Sequence, residues 1–400
     1  MIPRNLVLIG GDIVAPDRLI EDGVVELEDG VITGVSDRMS RHINSSLNRI
    51  NCQDKIIMPG FVDVHTHGGV GLDFADEDPD TARQLSRYYY RHGTTTLLAT
   101  LHSLPMKLLI PALKRLAAFC RESDGSSNVI GIHTEGPFLN RAQRGANSES
   151  YIENPDLDSW ENILRAGAGN IRVVTIAPEL PDVAPVIKSA IEEKIVVSLG
   201  HSSANEKSAS EAIEMGATQV THLFNAMPQL HHRKPGILTE ALLSDKIDTQ
   251  LIADGIHVHP QVLKLVSRLK GPDHIMLITD SIRAAQLGDG EYTVAGNQVR
   301  VENGISKLRD NTIAGSTLVF EKAVKLMVEE VGIDLPSVSR MASLTPAHSL
   351  GIDHLTGSIE TGKAADLVVL DKEFNVWMTI HRGTVRYTTI AERPVAGKTA

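Results

Sequence analysis

The sequence predicts an α/β protein: a (β/α)8 barrel of the TIM type, with a small β-sandwich domain built by both ends of the chain. Three observations support this prediction. The middle of the chain alternates about eight times between strand-like and amphipathic helical segments over about 290 residues, which is typical of one such barrel. Both ends are instead rich in short strands. The 400 residues, 42% hydrophobic and 22% charged, provide material for a large core.

The predicted barrel strands are short apolar runs that end at polar residues, at 61–65, 95–100, 129–133, 171–177, 195–199, 219–224, 249–253 and 275–279. Amphipathic stretches with apolar residues at helical spacing lie between them, at 81–91, 106–121, 182–193, 204–215 and 260–269. This alternation predicts a parallel sheet. An open doubly wound sheet is the alternative to a closed barrel, because hydrophobic periodicity does not distinguish the two.

The small domain is predicted from strand signals at the two ends of the chain. Asp29 and Gly30 separate two β-rich runs, and this dipeptide favours a hairpin turn because both turn positions need a positive φ. Segments 367–370, 376–380 and 385–387 have the same β-rich character. We therefore assign residues 1–57 and 355–400 to the small domain and residues 58–354 to the barrel. A glycine-rich stretch predicts a hairpin insertion in the barrel at about residues 287–311.

Charge and composition exclude several classes of partner. The formal net charge of −11 at pH 7 disfavours nucleic acid and anionic lipid, and no basic run offsets it. No apolar run approaches the roughly 18 residues of a membrane span, and the first residues do not resemble a targeting segment. Two cysteines, Cys52 and Cys120, are too few for a disulfide framework, so a cytoplasmic location is expected.

Histidine and acidic residues occur at the ends of the predicted strands. In a parallel barrel the active site lies at the C-terminal ends of the strands. Side chains two positions apart on a strand point the same way, so His65 and His67 can reach one ion. Imidazole and carboxylate ligands together suit zinc or iron. The residues with this placement are His65, His67, His133, Glu135, His201, His222, Asp254, His257 and Asp280, with Asn225 just beyond the sixth strand.

Each of these residues also has an ordinary structural explanation. A single histidine at a strand end is commonly a hydrogen-bonded core or surface residue, and Asp280 can serve as a helix N-cap. The joint pattern favours a metal site, because scattered histidines would not fall at the ends of several different strands. A phosphate-loop interpretation of GSIETGK (357–363) is rejected, because Ala364 replaces the required Ser or Thr and a strand follows.

Several sequence blocks resemble the amidohydrolase superfamily and, within it, the N-acetylglucosamine-6-phosphate deacetylase family. The HxH pair of PGFVDVHTHG (59–68) and the C-terminal GSIETGKAADLVVLD (357–371) are common to the superfamily. Blocks specific to the deacetylase family are HTEGPFLN (133–140), THLFNAM (221–227) and HHRKPG (231–236). The resemblance covers nearly the whole chain. It implies hydrolysis of the N-acetyl group of an amino-sugar 6-phosphate, with one or two divalent metal ions.

The resemblance implies two groups of metal ligands. One ion would be held by Glu135, His201 and His222. A second ion would be held by His65, His67 and Asp280. Asp280 would also be the catalytic residue that accepts a proton from water and delivers it to the leaving nitrogen.

The resemblance also implies the substrate contacts. Asn225 and the backbone at Ala226 would bind the substrate phosphate, and His257 the sugar hydroxyls. Arg233 would reach the phosphate in the neighbouring subunit of a homodimer, and a guanidinium suits this role because it binds phosphate oxygens in a bidentate fork. Asn147 stands where the family has the His or Gln that polarises the amide carbonyl, so the chain departs from the family pattern there.

Other functions stay open at this point. A related substrate such as N-acetylgalactosamine 6-phosphate is compatible with the same residues. Superfamily members that act on cyclic amides commonly use a carbamylated lysine on the fourth strand, and this strand ends at Ile176, Ala177, Pro178 and Glu179 instead. A non-catalytic scaffold is disfavoured because Asp280 and the ligand positions are all retained.

Overall fold

A closed barrel forms the centre of the protein, whose computed structural model describes residues 5–37, 46–122 and 127–390. Its parallel strands pair in sequential order: Phe61–Thr66, Thr94–Leu101, Val129–Glu135, Ile171–Ile176, Val196–Leu199, Gln219–Val220, Asp248–Ile252 and Ile275–Ile278. Backbone hydrogen bonds join the first strand to the end of the eighth, from Asp280 N to His65 O (2.9 Å) and from His67 N to Ser281 O (2.8 Å). The predicted barrel is confirmed, and the open sheet is excluded.

Within the described part of the chain, each barrel strand is followed by a helix. These helices are Thr81–Arg91, Met106–Glu122, Leu157–Gly167, Val183–Glu192, Glu206–Met215, Ile237–Leu243, Pro260–Lys270 and Phe320–Glu329. Their apolar faces, with residues such as Leu85, Leu113 and Ile163, pack with the strands in one core. Shorter helical segments are Arg141–Gln143, Glu149–Tyr151, Pro272–His274, Leu335–Ser339, Arg340–Leu344 and Thr345–Ser349. None of the helices described is long and apolar enough to cross a membrane.

The sixth barrel strand is shorter than the sequence predicts. The prediction of a strand over 219–224 is wrong beyond Val220, where the chain begins a turn. His222, Phe224 and Ala226 have φ angles of 29°, 77° and 52°, which an extended strand does not allow. The turn brings His222 and Asn225 to the mouth of the barrel.

The terminal segments form a second sheet, with the strands Leu6–Val14, Leu19–Glu28, Val31–Asp37, Asn48–Asn51, Ile56–Pro59, Leu367–Leu370, Val376–His381 and Thr384–Thr388. Its N- and C-terminal parts meet where Ile56–Pro59 pairs antiparallel with Leu367–Leu370. Apolar residues of both parts share one core, among them Leu8, Leu27 and Val369. A β domain built from both ends is therefore confirmed. The predicted boundary after residue 57 falls inside one of these strands and stays a prediction.

A small antiparallel sheet follows the eighth barrel strand and contributes to the barrel mouth. Its strands, Gly290–Val294, Asn297–Glu302 and Ile305–Lys307, lie within the range predicted for an insertion. The sheet is fixed to the loop after the third barrel strand, because Asn297 Nδ2 donates a hydrogen bond to the Ala146 carbonyl (2.8 Å). The insertion thus forms one wall of the cavity above the barrel.

Candidate metal centre and active site

A cavity of about 510 Å³ opens at the C-terminal ends of the barrel strands. Nine of the residues predicted from the sequence line it: His67, Glu135, Asn147, His201, His222, Asn225, Ala226, His257 and Asp280. His65 lies beside them and is fully buried. The strand ends therefore bring together residues that are far apart in the sequence.

One group of potential metal ligands consists of Glu135, His201 and His222. The Glu135 Oε1 atom lies 3.0 Å from the Nε2 atom of His201 and 3.0 Å from the Nε2 atom of His222. The two Nε2 atoms are 3.1 Å apart. All three side chains are buried, and their ligand atoms lie within 4.8 Å of one another. A carboxylate with two imidazoles is a donor set that suits a divalent metal ion.

A second group, His65, His67 and Asp280, adjoins the first. The Nε2 atoms of His65 and His67 are 3.3 Å apart, and Asp280 Oδ1 lies 3.2 Å from His67 Nε2 and 3.5 Å from His65 Nε2. Glu135 lies between the groups, because its Oε1 is also 3.3 Å from His65 Nε2 and its Oε2 is 3.5 Å from His67 Nε2. The geometry thus offers two adjacent cation sites.

In three of the imidazole rings, a contact at Nδ1, the nitrogen that points away from the ligand group, sets the tautomer. The Nδ1 atom of His201 lies 2.8 Å from the Gln143 carbonyl, and that of His67 lies 3.2 Å from the Thr100 carbonyl. The Nδ1 atom of His65 lies 3.0 Å from Gln250 Oε1. Because carbonyl oxygens only accept, each Nδ1 carries the proton and each Nε2 presents a lone pair to its group. Lone pairs this close to one another repel unless a cation lies between them, so these residues fit a metal ion.

The surroundings keep both carboxylates of the site ionised. Burial by itself raises the pKa of Glu135, but the adjacent His65 and His201 outweigh burial and hold that pKa well below its usual range. Burial also raises the pKa of Asp280, and the adjacent imidazoles of His67 and His65 outweigh it, so the pKa is lowered. Ionised carboxylates are the form that binds metal ions, and an ionised Asp280 can accept a proton.

Neighbouring groups orient two of the predicted substrate-binding residues. His257 Nδ1 lies 2.7 Å from Asp254 Oδ2, and Asp254 Oδ1 accepts a hydrogen bond from the His257 backbone N–H (2.8 Å). Asn225 Nδ2 donates to the carbonyls of His222 (3.2 Å) and Leu223 (3.3 Å). The Asn225 Oδ1 atom and the His257 Nε2 atom make no hydrogen bond with the described residues, so both remain available to a ligand.

Arg233 does not border the cavity of its own chain. It lies in an exposed loop, where its Nη1 is 2.8 Å from His232 Nε2. Nearby, the side chain of Leu230 is also exposed. Among the predicted substrate contacts, Arg233 is therefore the one that the fold of a single chain does not bring to the cavity.

Sequence reasoning missed several residues around the cavity. Arg144, His102 and Asp310 line it, and Gln250 supports His65 from below. His102 was detectable, because it directly follows the second barrel strand just as the other candidates follow theirs. Arg144 and Asp310 lie in loops whose positions depend on tertiary packing, and the sequence carries no signal for them.

Comparison with known proteins assigns the family. A profile of the amidohydrolase family matches residues 56–392. The chain belongs to this family. It is 35% identical over 378 residues to N-acetylglucosamine-6-phosphate deacetylase of Bacillus subtilis, covering 94% of this chain and 95% of the relative. It is 32% identical over 357 residues to N-acetylgalactosamine-6-phosphate deacetylase of Escherichia coli, covering 89% of this chain and 93% of the relative.

A solved structure agrees with this family assignment. It is that of an N-acetyl-D-glucosamine-6-phosphate deacetylase variant from Mycobacterium smegmatis in complex with N-acetyl-D-glucosamine-6-phosphate. Its chain matches this one with a TM-score of 0.90 and 30% identity, covering 96% of this chain and 100% of that chain. The family resemblance read from the sequence blocks is confirmed.

Proposed function

We propose that this protein hydrolyses the N-acetyl group of N-acetylglucosamine 6-phosphate, which yields glucosamine 6-phosphate and acetate, as a step in amino-sugar breakdown. One observation carries the proposal: two adjacent groups of potential metal ligands, with Glu135 between them, lie at the base of a cavity that Asp280 also lines. The deacetylases among its relatives support the choice of substrate class.

The reaction needs an activated water and a proton for the leaving nitrogen. A divalent ion bound by Glu135, His201 and His222, and a second by His65 and His67 with Asp280, would supply Lewis-acid activation of water and of the amide carbonyl. Asp280 accepts a proton as water adds to the carbonyl carbon. It then donates that proton to the nitrogen as the C–N bond breaks, so that acetate and the free amine leave. Zinc or iron is the proposed metal, in one or two ions.

The substrate phosphate is proposed to bind at Asn225 and the backbone of Ala226, with His257 contacting sugar hydroxyls. A protein with a net charge of −11 needs a local cation to hold a phosphate dianion. We assign that role to Arg233 of the neighbouring subunit in a homodimer, because Arg233 is exposed and lies outside the cavity of its own chain. Asn147, at the cavity wall, is proposed to contact the amide end of the substrate. A cytoplasmic location agrees with the free Cys52 and Cys120.

The experiment combines metal analysis with acetate release from the two sugar phosphates. The purified protein is expected to contain zinc or iron and to release acetate from N-acetylglucosamine 6-phosphate. Glu135→Gln is expected to lose metal and turnover together, because it removes the charged ligand of one group that also borders the other. His348→Gln, at a remote site with a 72% exposed side chain, is the matched control and should retain both.

The galactosamine epimer is the second candidate substrate, favoured by the similarity to the Escherichia coli enzyme. A higher kcat/KM for N-acetylgalactosamine 6-phosphate would transfer the proposal to that substrate. A metal-loaded protein that releases acetate from neither compound would contradict the proposed function altogether.

A further inference from the structure

His102 lies in the wall of the cavity but belongs to neither ligand group. It follows the second barrel strand directly and is 7% exposed. Its ring packs edge-on against that of His67, with the ring centroids 5.7 Å apart and an interplanar angle of 63°. Its ring nitrogens fall outside both sets of ligand atoms that lie within 4.8 Å of one another. His102 is thus next to the proposed metal centre without being part of it.

The hydrogen-bonding capacity of His102 is unused. Its Nδ1 atom is buried without a partner, and neither ring nitrogen makes a hydrogen bond with any described residue. By contrast, the Nδ1 atoms of His67, His201 and His257 each have a partner. Buried polar groups in proteins are nearly always hydrogen-bonded, so a free imidazole in a cavity wall indicates a ligand or water as the missing partner.

The backbone that carries His102 is held firmly in place. Ser103 N donates to Asn147 Oδ1 (3.1 Å), and Ser103 Oγ donates to the Glu135 carbonyl (3.2 Å). The next residue in the chain is thereby tied both to the loop above the cavity and to the strand that supplies a metal ligand. A donor fixed before the substrate arrives needs little rearrangement during the reaction, which is what electrostatic stabilisation requires.

The side-chain amides around the cavity are engaged elsewhere. Asn147 accepts from Ser103 through Oδ1 and donates through Nδ2 to the Arg144 carbonyl (3.2 Å). Asn225 Nδ2 donates to two backbone carbonyls. The His257 ring pairs with Asp254 through Nδ1, which leaves its Nε2 as an acceptor. In the described wall, His102 is therefore the buried imidazole outside both ligand groups whose N–H donor has no partner.

We propose that His102 contacts the substrate and donates a hydrogen bond to the oxygen of the amide group that is hydrolysed. This inference rests on the proposed function, because it requires an N-acyl substrate whose carbonyl lies against the metal centre. Negative charge develops on that oxygen when water adds to the carbonyl carbon. A neutral imidazole carries one N–H for this purpose, and its position beside His67 puts it next to the ligand groups. Besides the substrate contact proposed above, Asn147 helps to place His102, because it holds Ser103.

The test compares His102→Phe, which removes the donor, with His102→Gln, which keeps one. Loss of a donor of this kind typically lowers kcat by about 10²–10³-fold, and we expect a loss in that range for His102→Phe. His102→Gln should keep clearly more activity. Metal content, measured by elemental analysis, should match the wild type in both variants, and KM should change less than kcat. His348→Phe, at an exposed site, controls for the added ring.

A second substrate separates a role in the reaction from a purely structural one. The N-trifluoroacetyl analogue has a more electrophilic carbonyl and needs less help from a donor, so the loss of kcat in His102→Phe should be smaller with it. Equal losses on both substrates would overturn the proposal, as would loss of metal in a folded variant or a kcat within about twofold of wild type. His102→Leu provides the same comparison if His102→Phe does not fold. Wild-type protein inactive on both acetylated sugar phosphates would instead reject the proposed function and this inference together.

Discussion

Single residues at the barrel mouth adopt backbone conformations that are uncommon for side chains with a Cβ atom. His201, His222 and Asp280 have φ angles of 47°, 29° and 48°. Such left-handed conformations cost about 1 kcal/mol or more each. Each of the three residues follows the end of a barrel strand, and each side chain is buried in a ligand group. The fold thus accepts local strain where the chain must leave the strand and still direct a side chain into the centre.

Asp280 is the residue for which metal binding and proton transfer can be separated by mutation. Asp280→Asn keeps the shape of the side chain but removes the base, so turnover should fall by about 10²–10⁴-fold. Metal at Glu135, His201 and His222 should stay bound, because those ligands are unchanged. Acetate release and metal content, measured on the same sample, check this expectation. Asp17→Asn, with a 71% exposed side chain, is the control; normal turnover of metal-loaded Asp280→Asn would contradict the assigned role.

At this scale the sequence indicated which residues gather at the site, but not how they are used there. The strand-end pattern identified Glu135, His201 and His222 because residues that end parallel strands meet at one edge whatever their separation in the sequence. The hydrogen bonds of Asn147 were not predictable. They depend on Ser103, which a different loop brings to the same place.

Among the elements, the loops after the third, fourth and fifth barrel strands are joined through one carboxylate. Glu179 Oε1 accepts hydrogen bonds from Asn140 Nδ2 (2.7 Å) and from Ser203 N (2.6 Å), and Oε2 accepts from Ser202 Oγ (2.7 Å). Asn140 N also donates to the His201 carbonyl (3.0 Å). The loop that carries His201 is therefore held by its neighbours on one side.

Glu179→Gln is expected to loosen this arrangement without removing any proposed ligand. The substitution places an amide nitrogen, itself a donor, where a carboxylate oxygen of Glu179 accepts from a donor. At least one hydrogen bond to a charged group is therefore lost, which lowers the unfolding free energy by about 1.5–3 kcal/mol. Metal affinity should fall by about 10–100-fold, as is typical when groups behind a ligand change. Denaturant unfolding and metal competition measure the two effects. Exposed Glu193→Gln is the control, and unchanged values in Glu179→Gln would show that the contacts do not support the site.

Element prediction succeeded where hydrophobic periodicity was long and failed where a turn determined the structure. Helix Thr81–Arg91 was predictable to the residue, because its apolar positions recur at helical spacing over its whole length. The sixth strand was not, because apolar Leu223 and Phe224 continue a β-like pattern through a turn. Only the positive φ angles of His222 and Phe224 show that the strand has ended.

In the molecule as a whole, the two ends of the chain meet beside the barrel, and Asp366 helps to link the two units. Its backbone carbonyl accepts a hydrogen bond from Gly60 N (2.9 Å), directly before the first barrel strand, and its Oδ1 accepts from Arg382 N (2.8 Å) in the small domain. The strand-rich ends predicted a shared β domain. The pairing of Ile56–Pro59 with Leu367–Leu370 was not predictable, because strand register depends on partners far apart in the sequence.

Mixing two defective variants tests whether Arg233 acts across a subunit interface. Arg233→Ala should lower kcat/KM by about 10–100-fold, because it removes a charged contact to phosphate. Asp280→Asn is inactive for a different reason. In a mixed dimer, the subunit with an intact Asp280 receives Arg233 from its partner, so one of the two sites is complete. Coexpression in equal amounts should restore about a quarter of the wild-type activity, since half of the dimers are mixed and each has one working site.

A double variant carrying both changes, coexpressed with Arg233→Ala, is the control and should restore nothing. Absence of recovery in mixed dimers that are shown to form would place the phosphate anchor within a single chain.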